Sequence, residues 1–170
     1  MGLFSDEKII EKQLGRKVTN LRRVVKRCRY GYPVVIESFP LKDRKPFPTL
    51  YWLTCIFLRK EISKLESMGW IKKFEEKLEK DKNFLERMKK AHEEVRKRRM
   101  KILPKEAQWD VLVKSGTGGI RDPRIVKCLH LHTADFLAGV ENPIGEIVMK
   151  MLKKTECDPG EIICEKYLER

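Results

Sequence analysis

The stretch RKVTNLRRVVKRCRYGYPVVIESFPL, Arg16 to Leu41, decides the fold class. Its valines, isoleucine and aromatics favour extended backbone, and YGYP supplies a turn between two runs, roughly 22–29 and 33–39. A hairpin is therefore predicted near the N-terminus. It carries the cations Arg22, Arg23, Lys26, Arg27 and Arg29, with Cys28 near its tip.

Working outward on the N-terminal side, DEKIIEKQLG reads as a short helix with Ile9, Ile10 and Leu14 on one side. Ser5 or Asp6 can cap it and Gly15 ends it. On the other side, Pro46 and Pro48 forbid a helix, and the residues after them read as a short buried strand ending at Cys55. Phe47, Leu50, Trp52 and Leu53 are expected in the core beneath the helices. From Ile56 the period becomes helical, through Leu58, Ile62 and Leu65, until Gly69 stops it. Trp70, Phe74 and Leu78 mark a second helix to about Lys80. Phe84, Met88, Ala91 and Val95 mark a third, from near Asp81 to Lys101. It ends in the cation cluster VRKRRMK, either a solvated helix end favoured by the dipole or a contact for phosphate. His92 on this helix reads as a surface residue. Trp109, Val111 and Val113 alternate like a last strand.

These elements predict an α+β fold: a mostly helical single domain with a small antiparallel sheet near the N-terminus. The domain is drawn over residues 1–156. Residues 157–170, with Cys157 and Cys164, are expected to form a loosely attached C-terminal tail.

Composition narrows the function classes. Charged residues make up 37% of the 170-residue chain, with a net charge of +13. A sequence pI near 9.6 makes a polyanion, a phosphorylated ligand or an anionic surface a natural partner. A Lys/Glu-rich surface of the heat-adapted kind, poor in glutamine, accounts for the same numbers. The N-terminus turns charged too early for a secretion signal, and no apolar run reaches membrane-spanning length. Five unevenly spaced cysteines suggest a reducing cytoplasm rather than a disulfide framework.

The chemistry is concentrated in GGIRDPRIVKCLHLHTADFLAGVENPIG, Gly118 to Gly145. Asp122-Pro123 reads as an N-cap with proline at the first helical position, so a helix is predicted from Pro123 to Ala138. Asn142-Pro143 repeats the device for a final helix to about Lys154. On the first of these helices Cys128 and His132 share a face, with Asp135 about one turn on. His130 is turned away by roughly 200°, so Cys128 and His130 can meet one ion only if the helix starts later or is distorted. Cys28 and Cys55 both end strand runs and can converge on this helix. Thiolates with an imidazole suit zinc, and three thiolates with an open position suit an iron–sulfur cluster. No C-x-x-C pair is present, so cysteines that are only small buried hydrophobes remain an alternative. So does a nucleophilic Cys128 activated by a histidine. The glycine turn offers an anion site at a helix N-terminus, with Gly118, Gly119, Arg121, Arg124 and Lys127 around it. It lacks the Gly-Lys-Ser/Thr of a P-loop, and no strand–GxGxxG–helix pattern occurs.

PFPTLYWLTC, LESMGW, the glycine pair, KCLH and ENPIG, in this order and spacing, resemble the bacterial domain-of-unknown-function 501 family over roughly residues 15–152. The resemblance extends to RC-x-x-G-x-P, LTC and KCLH, which fall here on Cys28, Cys55, and Cys128 with His130. It implies no activity. The reading at this level is a cytoplasmic protein with a metal or iron–sulfur site drawn from Cys28, Cys55, Cys128, His130 and His132, beside a basic anion pocket with Arg121 at its mouth. The alternative is a basic module for nucleic acid or a phosphorylated ligand, whose cysteines only pack.

Overall fold

The computed structural model describes residues 3–167. The chain runs α1 (Leu3–Leu14), β1 (Leu21–Arg27), β2 (Pro33–Ser38), β3 (Leu41–Lys42), β4 (Lys45–Pro46) and β5 (Tyr51–Leu53). Helices follow: α2 (Ile56–Ser67), α3 (Trp70–Lys80), α4 (Lys82–Ile102), α5 (Asp110–Val113), α6 (Leu129–Leu137) and α7 (Pro143–Met151). The fold is α+β, mostly helical, with its small antiparallel sheet at the N-terminal end.

The hairpin forms β1 and β2, and β5 adds to the other edge of β2, giving the order β1-β2-β5. Every residue of β2 is buried. That is why its centre reads PVVI without alternation: a central strand covered on both faces has no solvent side to mark. Ile36 stands opposite both Val24 and Trp52. Glu37, the one carboxylate in β2, is held by Arg22 and Arg23. Burial works to raise its pKa, and the hydrogen bonds from the two arginines outweigh that and leave it lowered.

Leu50, Leu53, Leu58, Ile62, Phe74, Leu78, Phe84 and Met88 share one core with Val34 and Val35. Phe47 and Trp52, expected there too, are half-buried and stacked at 5.9 Å, with Arg16 over the Trp52 ring at 4.7 Å. Asp81 caps α4 by accepting from the Phe84 amide at 2.9 Å. Asn142 caps α7 through Ile144 and Gly145, with Pro143 at the first turn, as its sequence announced.

Three local expectations are corrected. Residues 110–113 form the short helix α5, not a last strand. His92 is buried, and its Nδ1 accepts from the Thr117 amide at 3.1 Å. The helix expected from Pro123 begins only at Leu129, with Cys128 extended (φ −159°, ψ 156°) as its N-cap. Asp122 does accept from the Arg124 amide, but the amides further on are claimed by distant carboxylates. Glu75 takes the Val126 amide and Glu66 the Leu129 amide, at 3.0 and 2.7 Å. Tertiary acceptors replace the helix's own carbonyls there.

The cation cluster at the end of α4 is not one solvated patch. Arg99 is fully buried and donates to the carbonyls of Pro48, Leu112, Ser115 and Gly116. It thereby shapes the turn leading to Gly118. Arg96 pairs with Glu93 and Arg98 with Glu94. Arg98 also reaches the Tyr51 hydroxyl and the Ala138 carbonyl. The final segment is pinned rather than loose. Cys164 is buried with Ile9 and Tyr32, Arg29 pairs with Glu156, and the Tyr30 hydroxyl donates to the Cys157 carbonyl at 2.9 Å.

Candidate metal centre

The late start of α6 changes which side chains meet. Cys128 at the N-cap and His130 in the first turn face the last turn of α2. There the ligand atoms of Glu66, Cys128 and His130 all lie within 4.8 Å of one another. Glu66 accepts from the Leu129 amide and sits 3.0 Å from His130 Nδ1. His130 Nε2 lies 3.1 Å from the Arg59 carbonyl and 3.3 Å from the Ser63 hydroxyl. The Ser63 proton is already spent on the Arg59 carbonyl at 2.8 Å, so both groups can only accept from Nε2. A neutral ring protonated at Nε2 then aims its Nδ1 lone pair at the Glu66 carboxylate. Two electron-rich atoms at that separation call for a shared proton or a cation between them.

Burial raises the Cys128 thiol, Glu66 adds to that, and the Leu131 and His130 amides oppose it. An activated nucleophile needs the reverse, a lowered thiol, so the nucleophilic reading loses its support. A raised thiol is compatible with ligation, because a coordinated thiol gives up its proton.

Beside this group lies a groove of about 890 Å³. Trp52, Ile56 and Leu131 give it apolar walls, and Lys60 and Lys127 give it cationic ones, with Cys128 and His130 in the lining.

The sequence-based candidates divide. Cys128 and His130 come together, with Glu66 as the unforeseen third member. Cys55 opens α2, whereas Glu66 stands near its other end, about 16 Å along the axis. Burial pushes the Cys55 thiol up to about 11. Cys28 packs at the hairpin tip beside Cys164. His132 is sealed in the core, its Nδ1 3.0 Å from the Asn142 amide and its ring edge-on to His92 at 6.0 Å. Cys28, Cys55 and His132 are therefore not within reach of the ion that Cys128 and His130 can share.

The anion-binding candidates scatter as well. Gly118 and Lys127 line the groove, with Lys127 donating to the Gly118 carbonyl at 2.9 Å. Gly119 packs near Pro48 and Val111. Arg121 is exposed and not part of the groove lining, and Arg124 pairs with Asp122 and Glu79. The expected helix N-terminus lies further along, and its amide is already taken by an internal anion, Glu66. No helix among the described residues is long and apolar enough to cross a membrane.

Glu66 was missed because a chain with 25 acidic residues gives no charge signal that isolates one. Its only mark is its place in LESMGW, among the quoted motifs.

Fold and site together define an α+β domain that sets a Glu/Cys/His group at the wall of an apolar groove. The family model described as "Protein of unknown function (DUF501)" matches residues 24–150. The chain belongs to that family. No curated protein and no solved structure matches it.

Proposed function

We propose that Glu66, Cys128 and His130 bind a divalent metal, zinc by the character of the donors, and that the groove receives a small ligand beside it. The reading is supported chiefly by one observation: His130 turns Nδ1 toward the carboxylate while Nε2 donates to a backbone carbonyl. Metal-ligating histidines are held in this way by a partner on the other nitrogen. Three protein ligands leave a fourth position of a tetrahedral ion for water or for the ligand, as in zinc sites that act on what they bind. Lys60 and Lys127 favour a ligand with an acidic group, and Trp52, Ile56 and Leu131 favour an apolar body. Free thiols on this scale fit a cytoplasmic setting.

The basic-module reading draws less support from the geometry. Arg22 and Arg23 are engaged by Glu37, Arg27 by Asp6 and Arg29 by Glu156, so much of the hairpin's charge is neutralised locally. Calorimetric titration of zinc into the full chain tests the proposal. Cys128→Ser and Glu66→Gln should each weaken one binding event by about 10-fold or more while leaving the fold in place. Unchanged isotherms in both variants would end this reading.

A further inference from the structure

A second group of thiols gathers at the other end of α2, around the tip of the β1–β2 hairpin. Cys28 and Cys164 pack in one small cluster with Ile9 and Tyr32. Gln13 ties that cluster to the strand, donating through Nε2 to the Pro33 carbonyl at 2.9 Å and to the Cys164 sulfur at 3.4 Å. Thr54 and Cys55 are tied to the same strand end. The Thr54 amide donates to the Val34 carbonyl at 2.9 Å, and the Thr54 hydroxyl to the Pro33 carbonyl at 3.4 Å. The Cys55 amide reaches the same Val34 carbonyl at 3.4 Å. Cys157 is brought in by its carbonyl, which accepts from Tyr30 at the tip, and by its neighbour Glu156, which binds both the amide and the guanidinium of Arg29. Four of the five cysteines thus surround one turn, drawn from three separate parts of the chain.

We propose that Cys28, Cys55, Cys157 and Cys164 hold a soft metal centre by four thiolates, the chemistry of an iron–sulfur cluster or of structural zinc. The thiols feel one another electrostatically. Cys164 is raised by burial first and then by Cys28 and Cys157, and Cys55 by burial and then by Cys164 and Cys157. Four uncharged thiols that near one another can be small hydrophobes, but the surroundings are those of ligands. Gln13 donates to one sulfur, and the Phe57 and Leu58 amides at the start of α2 favour the ionised form of another. Donors of this kind stabilise metal-bound thiolates. No three of the sulfurs lie within 4.8 Å of one another. A single zinc ion, with bonds of about 2.3 Å, has to draw them inward. A four-iron, four-sulfide cluster binds each thiolate to a different iron and holds them further apart, so it needs less inward movement. Either centre staples the short turn Ile163–Tyr167 to α1 and to the hairpin, and it is independent of the site at Cys128.

The test is the metal and acid-labile sulfide content of the full chain purified under argon. Wild type is compared with Cys157→Ser, Cys164→Ser and Cys128→Ser. The expected result is iron with sulfide, or one further equivalent of zinc, that Cys128→Ser retains and both Cys157→Ser and Cys164→Ser lose. Should Cys157→Ser and Cys164→Ser fail to fold, Cys128→Ser decides alone, through cobalt reconstitution and its intense sulfur-to-cobalt absorption. Wild type that carries no metal beyond what Cys128→Ser loses would overturn the proposal. So would denatured wild type with fewer than five titratable thiols, which would mean disulfides at the tip.

Discussion

His130 and His132 stand two residues apart on α6 and live in different chemistries. His130 faces the groove, half-buried, with Glu66, Arg59 and Ser63 around it. His132 faces the core, fully buried, beside His92 and Asn142. Burial drives the His132 pKa down to about 3 and that of His92 to about 4. Both are held as neutral rings that serve packing and hydrogen bonding. The difference follows from a helix turn of 100° per residue, which sends neighbours at this spacing to opposite faces. Residue type did not distinguish groove from core. The phase of the helix did, and the phase was set by where α6 begins.

The core face is broken most severely at Arg99. Arg99→Met removes the donors for four carbonyls, three of them in fully buried contacts and costly to leave unpaired, so unfolding in urea should show a loss of at least about 3 kcal/mol. Gly145→Ala comes next. A Cβ there would lie 2.3 Å from the His132 carbonyl oxygen, which belongs to backbone and cannot swing aside. The forced separation of α6 and α7 should cost about 1–3 kcal/mol by the same measurement.

Asp135 sharpens the comparison through pH. Burial raises its carboxyl to about 7, against the hydrogen bond from Thr117. Between about pH 4 and 7 the folded chain therefore holds a proton on Asp135 that the unfolded chain has released. This contribution to stability is full at low pH and is lost as pH rises through 7. His92 and His132 act in the opposite sense: the unfolded chain takes up their protons below about pH 6.5, so stability falls as pH falls. Asp135→Asn removes the opposing contribution alone. Its stability should fall with acidification more steeply than that of wild type, by about 1.4 kcal/mol per pH unit across this window. Parallel slopes would mean that Asp135 is ionised in the fold.

On the groove face the expected change in stability is the smallest. Glu66→Gln keeps an oxygen for the Leu129 amide and an amide that can donate to His130 Nδ1 at a partly exposed contact, so its unfolding free energy should move by less than about 1 kcal/mol. A larger loss would place Glu66 among the structural residues.

Much of the fold was legible because its signals are local. YGYP between β-rich runs gave the hairpin, Gly69 ended α2, and Asn142-Pro143 opened α7. What was not legible depends on partners far along the chain. Asp122-Pro123 is a sound start signal, yet Glu75 and Glu66 capture the amides that would have continued it. Trp109, Val111 and Val113 alternate, yet Arg99 gathers the carbonyls of Leu112 and Ser115 and curls that segment. The site was legible in half. KCLH named Cys128 and His130, and the condition for their meeting, a helix that starts later, is what the structure displays. Glu66 carried no local signal; Cys28 packs instead at the hairpin tip near Cys164, and Cys55 opens α2.

The central claim is that His130, and not His132, faces a metal. Zinc bound per chain by His130→Asn against wild type, after equilibration with a zinc buffer, tests it most directly. The account predicts that His130→Asn loses one equivalent while its unfolding midpoint without metal stays that of wild type. Equal zinc content in the two proteins would contradict it.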